Sequence, residues 1–203
     1  MEEQKTLKQI ADDLMQKKGN VKGEVIRANF VYIKEKKGED GLKSLEGKLN
    51  ELGIPIKHGD IKPFNWYSEA LSALIVIVAK EVFSWTEADI FDMGNQAPKY
   101  SFILMKILLK YFVSTVKVFE LAPYYWKRHF DTGEIERVEF NEKEKYVIFR
   151  VKGHNFHPLV CIYEAGYYLR IAQFSTRSKD VHIEETKCAF ADNPYHEYKI
   201  TWV

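Results

Sequence analysis

Leu7, Ile10 and Leu14 recur at the interval of a helix stripe, and the glycine of "KKGN" (17–20) ends that run. A second helical pattern opens at residue 21. Val25, Ile26, Phe30 and Ile33 mark one face, and Leu42, Leu45, Leu49 and Leu52 mark the next, a stripe that reads as core. Residues 54–67 hold two prolines and a glycine and predict a loop. Residues 69–83 are apolar nearly all round, as a central buried helix requires. "SWTEADIFDMG" (84–94) predicts a helix capped by Thr86, with acids in its first turn and a stop at Gly94. Residues 99–114 predict a strongly apolar helix, and 116–130 a further one broken near Pro123.

The period changes after Gly133. Residues 134–140 and 145–151 alternate around "NEKE", a hairpin signal, and 158–174 return to helical spacing through Leu159, Ile162, Ala165, Leu169 and Ala172. Strands at 181–190 and 196–202 close the chain around "ADNPY". The order is helices first, then strand, strand, helix, strand, strand. That predicts an α+β fold, its N-terminal helical half packed on a four-stranded antiparallel sheet with one crossover helix. Residues 1–20 are expected to form an amphipathic extension and 21–203 a single domain.

Composition narrows the function classes. Thirty Lys+Arg against 29 Asp+Glu leave a net charge of +1, so no basic field favours nucleic acid. The longest apolar run, 70–79, is too short to span a bilayer. Two distant cysteines behind a charged N-terminus suggest free thiols and a cytoplasmic setting. The chain carries no Gly-x-Ser-x-Gly elbow, phosphate-cradling glycine loop, His-Glu-x-x-His or Cys-x-x-Cys, and no catalysis is expected.

"HNFHPLVC" (154–161) sets two histidines and a cysteine close together. His157 and Cys161 are four apart, and Cys188 and His196 can meet across the closing hairpin, so these four residues are candidate zinc ligands. Pro158 argues the other way: it makes His157 the N-cap or the residue before it, in extended backbone. His154 reads as a loop residue.

The stretches "VKGEVIRANFVYIKEKKGEDGLKSL", "WTEADIFDMGNQAPKYSF" and "EETKCAFADNPYHEYKITW" together resemble the superfamily that joins haem nitric-oxide/oxygen-binding (H-NOX) domains, four-vinyl-reductase-type ligand-binding domains and TRAPP trafficking subunits. The resemblance runs over residues 21–203 and implies an apolar pocket between helical half and sheet, able to hold haem, another small molecule or an acyl chain. It also implies, for a haem domain, an axial histidine downstream of the glycine matched by Gly94 and a Tyr-x-Ser-x-Arg motif for the propionates. This chain lacks that motif; Tyr125 or a neighbour falls near the axial position, with His129 one turn later. Haem is therefore not expected, although Tyr125 or His129 could serve a non-standard gas sensor. Its "C-x7-H" (188–196) is similar to the C-terminal end of four-vinyl-reductase-type domains, without their second cysteine.

By the same resemblance, Val25, Tyr100, Phe102, Phe112, Phe119, Tyr125, Trp126 and His129 line the pocket. The expected function is a non-catalytic sensor that holds an apolar molecule or acyl chain and reports to a signalling protein. The alternative is a dimeric scaffold without ligand, suggested by the N-terminal stripe.

Overall fold

The computed structural model describes residues 5–101 and 115–203. Its helical half comprises α1 (Leu7–Met15), α2 (Gly23–Glu51), α3 (Glu69–Phe83), α4 (Glu87–Gln96), α5 (Thr115–Glu120) and α6 (Ala122–His129). The predicted helix over 99–114 lies for the most part outside the described residues; its first residues, Lys99 and Tyr100, end a 3-10 turn, Ala97–Tyr100. Strands β1 (Asn20–Lys22) and β2 (Trp66–Ser68) pair antiparallel at the entrances of α2 and α3, where the sequence predicts helix and loop. The sheet proper contains β3 (Glu134–Asn141), β4 (Tyr146–Lys152), β5 (Val181–Lys187) and β6 (His196–Trp202). Its strand order is β3-β4-β6-β5, antiparallel throughout, and helix α7 (Pro158–Thr176) crosses between β4 and β5.

Each element follows from local chemistry. Thr86 and Asp89 form the capping box that starts α4, the Asp89 backbone N–H donating to the Thr86 hydroxyl while the Asp89 carboxylate accepts from the Thr86 backbone N–H at 2.8 Å. α2 is two helical runs joined at Gly38, whose φ of 70° leaves the helical region. The break realigns the Ile26, Phe30, Ile33 face with the Leu42, Leu45, Leu49 face, and all six are buried.

Gly94 corrects the predicted helix stop. α4 continues to Gln96, and a Cβ on Gly94 would lie 1.8 Å from the Tyr163 carbonyl oxygen of α7. Gly166 answers from the other helix, where a Cβ would meet the Phe91 carbonyl at 2.1 Å. The two glycines let α4 and α7 touch backbone to backbone.

Helices α1 to α4 bury one apolar cluster, while β3 to β6 bury another with Phe119, Trp126 and Ala172. α7 lies between them. Ala11 and Leu14 of α1 are buried, with Leu7 and Ile10 packed against the same core. The chain thus covers its own N-terminal stripe, which removes the feature that suggested a dimer. No helix among the described residues is long and apolar enough to cross a membrane.

Candidate functional site

Between the two apolar clusters lies a cavity of about 160 Å³. Its helical wall includes Val25, Ala28, Ala73 and Val76, and its sheet wall includes Ile135, Phe149 and Ile200. Of the residues the resemblance assigned to a pocket, Val25, Phe119, Tyr125, Trp126 and His129 line it. Tyr100 does not. Its hydroxyl donates to Glu35, and that contact, with burial, pushes the phenol well above its ordinary range. Phe102 and Phe112 lie outside the described residues.

Besides tyrosines, the wall holds three carboxylates and two imidazoles: Glu24, Glu69, Glu164, His129 and His154. All are nine-tenths or more buried. Helix geometry favours their charges, because Glu24 and Glu69 sit in the first turns of α2 and α3 and His129 in the last turn of α6. His129 Nδ1 lies 2.9 Å from the Tyr125 carbonyl, which can only accept, so Nδ1 carries a proton. Nε2 then faces Glu24 Oε1 at 2.6 Å, a distance that requires a second proton between them.

His154 corrects the loop reading. Its Nε2 touches Glu69 Oε1, and its Nδ1 lies 2.9 Å from Glu164 Oε1. Burial alone would depress the imidazole, but the Glu164 and Glu69 carboxylates outweigh it and push His154 up to about 10. The ring is fixed edge-on against Trp126 and Phe130, with centroids 5.1 and 5.6 Å away. Lys17 clamps the same segment by donating to the Phe156 carbonyl at 2.8 Å. On the far side, Thr132 Oγ1 donates to Glu69 Oε2 at 2.7 Å. Gly19 makes room for that bond, since a Cβ there would lie 2.6 Å from the hydroxyl.

A second cluster lies where α7 meets the β5–β6 edge. One donor atom from each of Cys161, Glu185, Cys188 and His196 lies within 4.8 Å of the others. The sequence names three of these four. His157 stands apart: it caps α7, its Nδ1 accepting from Leu159 N at 3.2 Å. Glu185 takes the fourth position because the β5 ladder slips between Glu185 and Lys187. Strict alternation would send Glu185 and Cys188 to opposite faces, and the bulge returns them to one. His196 Nε2 lies 3.2 Å from Asn155 Oδ1, and its Nδ1 faces Cys161 Sγ (3.6 Å) and Glu185 Oε1 (2.8 Å) and lies 3.3 Å from the Ala189 backbone N–H, which donates to it. Burial, reinforced by Glu164 and Glu185, pushes the Cys161 thiol far up, so that without a cation it stays protonated.

The sequence reading missed Glu24, Glu69, His154 and Glu164. For Glu69 and Glu164 the signal is a single acid in an otherwise apolar helical run, as in "EALSALIVIVA" and "PLVCIYEAGYYL".

The chain matches no protein-family model and no curated protein. It is similar in structure to an H-NOX protein from S. oneidensis in an Fe(II)NO ligation state, with TM-score 0.65 and 12% identity, covering 90% of this chain and 99% of that one. An oxygen-binding H-NOX domain related to soluble guanylate cyclases gives TM-score 0.61 and 10% identity over 89% of this chain and 94% of that one. An unliganded Fe(II) H-NOX mutant from K. algicida gives 0.62 and 10%, covering 90% and 96%. The fold is H-NOX-like.

Proposed function

We propose that this chain is a non-catalytic ligand-binding sensor domain whose receptor site is the cavity between helical half and sheet. The observation that carries the reading is the cavity itself: apolar over most of its wall, lined by elements from both halves, and provided with a small set of fixed polar groups. A ligand there touches both halves, so it shifts their relative packing by as much as it binds one arrangement better than the other. The output then passes to a signalling protein, in keeping with a cytoplasmic setting.

The H-NOX structures it resembles include one with Fe(II)NO and one studied for heme distortion, and the residues here do not fit that group. Both His129 ring nitrogens are engaged, by Glu24 and by the Tyr125 carbonyl. Besides tyrosines, the ionisable groups of the wall are three glutamates and two histidines, with no lysine or arginine at ion-pair distance from those glutamates among the described residues. Among the described residues the wall would offer haem propionates carboxylates and no lysine or arginine. A void of about 160 Å³ is close to the ~150 Å³ apolar cavity that takes up benzene.

Native mass spectrometry of the full chain, with an absorption spectrum recorded on the same sample, tests this reading. A small organic mass lost on denaturation, without a Soret band, supports it; a Soret band at one haem per chain overturns it.

The thiol and imidazole cluster supports a second role, a structural zinc ion held by Cys161, Glu185, Cys188 and His196. A divalent cation would bridge the His196 Nδ1 and the Glu185 carboxylate, 2.8 Å apart, and convert both thiols to thiolates. Metal analysis should find one zinc per chain, and Cys188→Ala should lose it; a metal-free protein with an unchanged melting curve after zinc addition would remove the role.

A further inference from the structure

We propose that the cavity takes a protonated amine on a small aryl or branched alkyl body, an inference that rests on the sensor reading above and names its ligand class. Glu24 and His129 share a bridging proton and together are neutral. His154, contacted by a carboxylate at each ring nitrogen, is an imidazolium, and Glu69 and Glu164 are its two carboxylates. The five groups therefore sum to one negative charge inside the protein. Among the described residues, the other side-chain donor given to them is the neutral Thr132 hydroxyl.

The excess falls on Glu164. It is 7% exposed, it lines the cavity, and it accepts no well-formed hydrogen bond among the described residues. His154 Nδ1 is near it but makes no hydrogen bond of good geometry. One imidazolium is shared between the Glu69 and Glu164 carboxylates, and a second donor with positive charge would balance the pair. Two donors of the cavity wall are committed elsewhere, Tyr163 to Asn29 at 2.7 Å and Trp126 Nε1 to the Thr132 carbonyl at 2.9 Å, and the Tyr167 and Tyr168 hydroxyls that also line it are neutral and cannot balance the charge.

The remaining wall suits the same ligand. Trp126, Phe130, Phe156, Tyr167 and Tyr168 surround the space, and their ring faces attract a desolvated ammonium. An anionic ligand meets repulsion from Glu164. A neutral hydrocarbon fills the volume but leaves the carboxylate bare. Only an amine meets both demands, with a body near benzene in size set by the cavity volume.

The experiment is calorimetric titration of the full chain at pH 7 with three probes of one shape: benzylamine, toluene and benzoate. Benzylamine should bind about thirtyfold tighter than toluene, the preference expected of a desolvated cation among aromatic rings and a carboxylate, and benzoate should not bind. Glu164→Gln should erase the amine preference while toluene binding persists, with Glu69→Gln as the second variant should the first fail to fold. Toluene bound as tightly as benzylamine overturns the proposal and leaves the cavity reading standing. Binding of none of the probes overturns both.

Discussion

His154 sets the chemistry of this protein at the residue scale. A histidine held near 10 in the fold, against about 6.5 when unfolded, stabilises the native state through its extra proton. That contribution is whole below about pH 6.5 and is lost as pH rises toward 10. Urea midpoints of the wild-type chain should fall from pH 7 to pH 10, and a His154→Gln variant should lose that slope. The variant should also be about 3–5 kcal/mol less stable at pH 7, because two buried carboxylates lose their counter-charge. Equal pH slopes in the two proteins would show that His154 is not the group that titrates. Little of this was legible in the sequence. His154 is flanked by Gly153 and Asn155, which look like loop, and nothing local announces that the loop folds between α3 and α7. His129 was legible, because an aromatic-rich helix ending in a histidine already resembled a pocket wall. Cys161, Cys188 and His196 were legible as a group, but Glu185 was not, since the bulge that turns it inward leaves no mark in the residue pattern.

Among the elements, the α4–α7 crossing limits how the two halves can move. Ala is the better helix former than Gly by about 1 kcal/mol, yet overpacking a buried contact costs about 1–3 kcal/mol. With a Cβ only 1.8 Å from a backbone oxygen at Gly94, the steric cost wins. Gly94→Ala and Gly166→Ala should each lower the unfolding free energy by about 1–3 kcal/mol, measured by urea denaturation, whereas Gly47→Ala, which meets no atom within 4 Å, should leave it unchanged or raised. A stable Gly94→Ala protein would mean that the helices sit further apart than described. The sequence reading located every strand of the sheet and the Thr86 cap, because alternation and capping are local. It read Gly94 as a helix end because a glycine required by a crossing helix looks the same as a glycine that terminates one.

Over the whole molecule, two apolar clusters meet at a space neither fills. Trp126 belongs to that boundary: it stacks on Phe130 at 4.5 Å, lies edge-on to His154 and faces the cavity. Trp126→Ala should cost stability, about 3–5 kcal/mol for a buried aromatic, and should reduce uptake of an aromatic probe beyond the fraction that unfolds. Uptake falling only in step with the folded fraction would make Trp126 plain core. The α+β order was readable from the change of period at Gly133, but the cavity was not, since unfilled volume is a property of packing between elements distant in sequence.

The account's central claim is that one small ligand touches both halves from inside. Backbone amide NMR of the full chain titrated with benzylamine tests it most directly. The claim predicts saturable shift changes at Ala28 and Val76 on the helical wall together with Ile135 and Ile200 on the sheet wall. Changes confined to surface residues, or none at saturating probe, would contradict it.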